Sequence, residues 1–210
     1  MTTVIGQSIG ILQSMRIQQA AGLNGNRYAT FHQLGKEQAQ KLHEDDRLYD
    51  VGDTIFIGST PLGNSSLSLY LREYHDNALS MYPAIGNVKE GRLPEEAMEI
   101  ALSEDALQYL GLDAVIGDTV SLDLSVSVMD GSLSELEYSA DFVLTGILES
   151  SYIGYASGTV EGIVGEGTAE ELLPEEYLLY STDFKTYDKQ NFQSIIYALA
   201  EDLNVDERYI

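Results

Sequence analysis

The chain is 210 residues long and carries 11 Lys+Arg against 34 Asp+Glu, a formal charge of −23. That balance leaves no basic footprint for nucleic acid and disfavours adsorption to anionic lipid headgroups. It has no cysteine, which excludes a thiolate zinc site, a disulfide scaffold and a thiol nucleophile.

Residues 3–21, TVIGQSIGILQSMRIQQAA, hold one charge, Arg16, and no proline. Ile5, Ile9, Leu12 and Met15 recur at helical spacing, which predicts a one-faced helix about 30 Å long. The GLNGN at 22–26 stops it. Residues 1–21 lack the basic start and continuous apolar run of a signal peptide, and no window reaches the ~18 apolar residues of a membrane span.

Shorter units follow. RYATFHQL reads as a strand, GKEQAQKLHEDD as a helix, and LYDVGDTIFIGS as a strand interrupted at Gly52. SSLSLYLREY alternates at period two through Leu67, Leu69 and Leu71, the pattern of a half-buried strand. A short helix is expected near 75–81. The turn Gly91-Arg92-Leu93-Pro94 then feeds a strand at 98–102, and Ser103 with Glu104 and Asp105 caps a helix that ends at Gly111. Arg92 is expected to pair with nearby acids such as Glu90 or Glu95 and not to bind a substrate.

DTVSLDLSVSV alternates through Val120, Leu122, Leu124 and Val126, and Asp130-Gly131 suits a type I′ turn into LEYSADFVLTGIL. The Gly-, Ser- and Glu-rich stretch 151–175 reads as irregular strand and loop. EEYLLYSTDF is a strand. In DKQNFQSIIYALAEDLN, Phe192, Ile195, Ile196, Leu199 and Leu203 form one helical face, with Asn204 as the stop. VDERYI reads as the start of a strand or extension. The sum is an α+β chain of two small lobes, without repeats.

Catalytic motifs do not survive inspection. Gly6-Gln7-Ser8-Ile9-Gly10 matches G-x-S-x-G, but only five residues precede it, too few for the strand that a nucleophile elbow needs. GTVEGIVGEGT (158–168) has no Gly-Lys-Ser/Thr ending, and Glu161 and Glu166 would repel a phosphate. His32, His43 and His75 share no metal-ligand spacing and read as surface or strand residues. The acidic runs at 43–46, 130–137 and 166–176 do not follow the calcium-loop pattern, so they read as solvated helix ends or turns, with calcium binding the minor alternative. Among 34 acids no catalytic pair stands out.

The block Gly91-Arg92-Leu93-Pro94, then Glu99-Ile100-Ala101-Leu102-Ser103, Leu110-Gly111-Leu112 and Gly117-Asp118-Thr119-Val120-Ser121-Leu122, resembles the extracytoplasmic domain of ABC-transporter permeases of the FtsX/MacB type. FVLTGILES (142–150) and HQLGKEQAQKL are similar to further segments of that family, and the Gram-positive members are the nearest in pattern. The resemblance spans roughly 25–205. It marks Gly91, Arg92, Pro94, Glu99, Ile100, Gly111, Gly117 and Asp118 as structural signature positions.

The resemblance implies a two-lobed mixed α/β extracytoplasmic domain. A porter-like lobe would be built from 24–95 and 175–210, a β-rich second lobe would be inserted at 96–174, and 1–23 would be a stalk helix continuing a transmembrane helix. The implied function is non-catalytic: binding or sensing an extracellular peptide, lipid or wall-associated protein, and coupling to a cytoplasmic ABC ATPase. Neither a cofactor nor a metal belongs to such a domain. The site would lie on the extracellular face of the cell membrane. The alternative is a secreted acidic hydrolase or stand-alone extracellular binding protein, and apolar segments flanking the chain in its gene would decide between them.

Overall fold

The computed structural model describes residues 25–130, 132–150 and 158–210. The expected stalk helix, the Ser8 motif and the Gly131 turn lie outside the described residues.

Among the described residues, nine strands and four α-helices follow in chain order: β1 (Ala29–Leu34), α1 (Lys36–His43), β2 (Leu48–Pro61), β3 (Ser68–Tyr74), β4 (Val88–Gly91), β5 (Glu99–Ser103), α2 (Glu104–Leu110), β6 (Thr119–Asp130), β7 (Ser132–Leu148), β8 (Thr159–Val164), α3 (Thr168–Leu172), β9 (Tyr180–Thr186) and α4 (Phe192–Leu203). The strands join in one sheet, ordered β1-β9-β2-β3-β8-β5-β7-β4, with β6 paired to β7 and touching β2 at Ser59 and Ser125. Most pairings are antiparallel; β3 with β8 and β5 with β7 run parallel. This is the mixed α/β architecture that the alternation of strand and helix patterns predicts.

Strand alternation sorts the side chains. Phe31, Ile55, Leu69, Leu71, Phe142, Leu144 and Phe184 all point into one core and are almost fully buried. Phe31 and Phe184 meet edge to face at 5.2 Å, a geometry that aligns the positive ring edge with a negative ring face. On that side α1 buries Ala39 and Leu42, and α4 buries Ile196, Leu199, Ala200 and Leu203. Gln38 Nε2 donates to Leu203 O at 2.9 Å, tying the two helices together. Asn204 ends α4 at φ 53°, the left-handed stop that its side chain tolerates.

Four local expectations need correcting. The glycine-rich stretch, where described, is regular: β8 is a central strand and α3 follows it. Its composition misleads because Gly162 leaves room for the core; a Cβ there would lie 2.6 Å from Leu71 and 2.7 Å from Leu102. VDERYI does not extend; it closes as a 3-10 turn at Glu207–Tyr209, with Asp206 accepting from Arg208 N at 3.0 Å. The helix expected near 75–81 is a 3-10 turn at Leu79–Met81. The strand placed at 98–102 starts one residue later, because Met98 takes a left-handed φ of 62°. Edge strand β4, unexpected from its four exposed residues, exists through its pairing with β7.

Candidate functional site

Six of the eight signature positions, Gly91, Arg92, Glu99, Ile100, Gly117 and Asp118, pair with or hydrogen-bond to β7. Gly91 has φ 77°, and a Cβ on it would lie 2.3 Å from both Thr145 O and Ile116 Cδ1. No side chain fits, so the turn lies flat on the strand, with Arg92 N donating to Thr145 O at 2.9 Å. Gly117 N donates to Leu144 O at 2.8 Å, and the Asp118 carboxylate accepts from Val115 N at 2.9 Å to close its own turn. Ile100 is fully buried, and Gly111 caps α2 at φ 72° as expected. Ser103 accepts from Ala106 N, also as expected.

Arg92 pairs with neither Glu90 nor Glu95. It binds Glu99 through both guanidinium arms, at 2.7 and 2.5 Å, because β5 begins directly across the turn. Glu99 also accepts from Glu95 N and Glu96 N, the first amides beyond half-buried Pro94. The Arg92 hydrogen bonds, helped by these amides against partial burial, hold the Glu99 pKa at about 2. Arg92, Glu99 and the turn amides between them form a local structural knot, and none of the eight positions lines either cleft described next.

The first cleft lies on the sheet face opposite the core. Strand residues line it, joined by Tyr82 and Ile85 from the connection before β4, around a cavity of about 390 Å³. At its floor Asp183 is 1% exposed. It takes an ion pair from Arg27 at 2.9 Å, a hydrogen bond from Tyr82 Oη at 2.6 Å and another from Thr30 Oγ1. Beside it Arg72 pairs with Glu161 and lies over the Phe56 and Tyr70 rings at 5.8 and 5.5 Å. Burial first, then the Asp183 charge, raises the Tyr82 pKa well above its ordinary value. Thr54 Oγ1, buried in the same wall, has no hydrogen-bond partner among the described residues. His32 Nδ1 sits 3.1 Å from Ser181 Oγ, but Asp183 is already engaged elsewhere, and burial lowers the His32 pKa.

The second cleft lies on the helix side of the same strands, a cavity of about 410 Å³ between α1, β2, β3 and α3. It brings together two of the three histidines that the sequence left isolated. His43 Nε2 lies 2.9 Å from Asp53 Oδ2, and Thr182 donates to the other Asp53 oxygen at 2.5 Å. His75 Nε2 lies 2.7 Å from Glu73 Oε1, off the line of a straight hydrogen bond. Glu73 is 1% exposed and accepts from Gly167 N and Ala169 N at 3.0 and 2.6 Å. Sequence spacing has no means of finding this group, since its partners come from four separate elements. Among the described residues no group of His, Asp or Glu is arranged to hold a metal ion.

No protein-family model matches the chain, and no curated protein matches it by sequence. Solved structures share its fold, among them two from ABC-type transporters and their relatives. One is the extracellular domain of the noncanonic ABC-type transporter YknZ from Gram-positive bacteria, at TM-score 0.54 and 11% identity, covering 85% of this chain and 97% of that one. The other is the periplasmic region of MacB from Actinobacillus actinomycetemcomitans, at TM-score 0.50 and 16% identity, covering 83% and 80%. The mixed α/β sheet is therefore the fold of these extracytoplasmic regions. Among the described residues no helix is long and apolar enough to cross a membrane.

Proposed function

We propose that this chain is the extracytoplasmic domain of an ABC-transporter permease. In this reading it catalyses nothing, holds no cofactor, meets an extracellular ligand or partner, and couples that event to a cytoplasmic ATPase. The observation that carries the proposal is the shared fold over 97% of the YknZ extracellular domain.

The lobe division proposed with it follows most of the sheet order: β1, β9, β2 and β3 come from 24–95 and 175–210, and β8, β5 and β7 from 96–174, whereas β4, from 24–95, crosses to pair with β7. The two sets meet at the parallel β3–β8 pair, at β4–β7 and where β6 touches β2, and a change in lobe orientation would pass through these contacts. The charge of −23 favours a cationic ligand during approach, since summed surface charge steers encounter. The cleft on the open sheet face, with its buried ion pairs and aromatic rings, is the surface this reading assigns to contact.

Calorimetry tests the assignment. The purified domain is expected to bind no ATP, while the full-length protein copurifies with an ATPase whose turnover changes on Arg72→Ala in the open-face cleft. Micromolar ATP binding by the domain, or a full-length protein that associates with no ATPase, would overturn it.

A further inference from the structure

Both histidines of the helix-side cleft are placed in the same unusual way. Each presents one ring nitrogen to an inner carboxylate and the other to an outer one. His43 has Nε2 at 2.9 Å from Asp53 and Nδ1 at 3.8 Å from Asp76. His75 has Nε2 at 2.7 Å from Glu73 and Nδ1 at 3.5 Å from Glu166. A neutral imidazole owns a single N–H, so it can meet only one of two carboxylates and turns a lone pair to the other. The imidazolium is drawn to both, by close contact at the inner acid and by charge across the longer gap to the outer one. The same pairing of one near and one farther carboxylate is repeated at two sites.

The inner and outer acids differ in what else holds them. Asp53 and Glu73 are buried and anchored by Thr182 and by backbone amides, independently of the histidines. Asp76 and Glu166 are 62% and 72% exposed at their side chains. Asp76 belongs to the turn after β3, and Glu166 to the connection between β8 and α3, and both line the cleft as exposed lips.

We propose that His43 and His75 form a proton-operated clasp, which draws the Asp76 and Glu166 lips over the cleft when protonated and releases them when neutral. The other groups facing the cleft set its background. On α1, Lys36 pairs with Glu170 of α3 at 2.9 Å, bracing the same two elements without a proton switch. Tyr180 of β9 completes the wall. The two rings repel one another modestly, and each is pulled up more strongly by its own acids. The hydrogen bond to Asp53 is the main cause of the raised His43 pKa, and the close Glu73 carboxylate of the raised His75 pKa, with Asp76 adding to the first and Glu166 to the second.

The linkage has a definite sign. A raised folded-state pKa gives stability that is fully present below the unfolded value near 6.5 and lost as pH rises through the folded one. The clasp closes on acidification and opens toward alkaline pH. It is independent of the transporter reading.

Nitrogen-15 and carbon-13 NMR of the histidine rings tests it, with His32 as an internal reference. His43 and His75 are expected to titrate above 6.5 with both ring nitrogens protonated on the acid side, and His32 below it. Asp76→Asn should lower the His43 midpoint and Glu166→Gln the His75 midpoint, each by more than it moves the other ring. Amide signals of residues 75–78 and 165–169 should shift with the same midpoints. Rings that titrate at or below 6.5, or midpoints indifferent to the two exposed substitutions, would overturn the clasp. Amides that stay fixed while the rings titrate would overturn the lip movement.

Discussion

The turn region from Gly91 to Asp118 and the sheet half built on β1, β9, β2 and β3 hold their charged groups in opposite ways. In the first, Arg92 binds Glu99 seven residues on, and Asp118 accepts from Val115 three residues back. The Arg92 side chain is 47% exposed. In the second, Asp183 is 1% exposed and gathers Arg27, Thr30 and Tyr82 from far along the chain. One region is a locally wired knot that screens its charges with water. The other buries its charges and satisfies them by tertiary contact, which makes them costly to disturb.

The largest effects should come from glycines, and they should be equal in both regions. Gly91→Ala would set a Cβ 2.3 Å from Thr145 O at a positive φ, and Gly52→Ala a Cβ 2.2 Å from Ala78 N. Each is expected to cost about 3 kcal/mol or more in urea denaturation, because the obstacle is backbone. The regions should separate at the next level. Asp183→Asn should cost about 2–3 kcal/mol, since an amide cannot accept from three donors at both ends and leaves Arg27 facing a neutral group.

Glu99→Gln should cost less, about 1 kcal/mol, its arginine being half in water. That cost depends on pH. With the folded pKa depressed to about 2, the Glu99 contribution is present above the ordinary carboxylate value and fades as pH falls toward 2. The gap between wild type and variant should close over that window. The smallest effect belongs to Thr54→Val, which removes a buried hydroxyl that has no partner among the described residues. It should leave stability within about 0.5 kcal/mol or raise it. Equal costs for Asp183→Asn and Glu99→Gln would break the contrast between the two regions.

The same contrast explains what can be read from the sequence. Capping by Ser103, the stop at Gly111, the stop at Asn204 and the alternation of Leu69 and Leu71 are signals carried within a few residues, and the fold follows them, with Leu67 falling one residue before the strand. Even in the knot the partner of Arg92 is not legible, because choosing among nearby acids requires knowing that β5 starts across the turn. β8 escapes the sequence reading for a different reason. Its glycine is fitted to Leu71 and Leu102, so packing overrides a composition that reads as loop. Neither cleft is legible. Asp53 and Thr182 lie 129 positions apart, Gly167 and Glu73 lie 94 apart, and no periodicity links such pairs.

The central claim, that this fold stands outside the cell membrane on a transporter, has a direct test that the absence of cysteine makes clean. Tyr197 is 59% exposed on α4, so a Tyr197→Cys substitution in the full-length protein gives one accessible thiol in this domain. Intact cells would be treated with a membrane-impermeant maleimide, with the unsubstituted protein as background. The account predicts labelling of the introduced thiol without permeabilisation, whereas labelling that appears only after the cells are opened would contradict it.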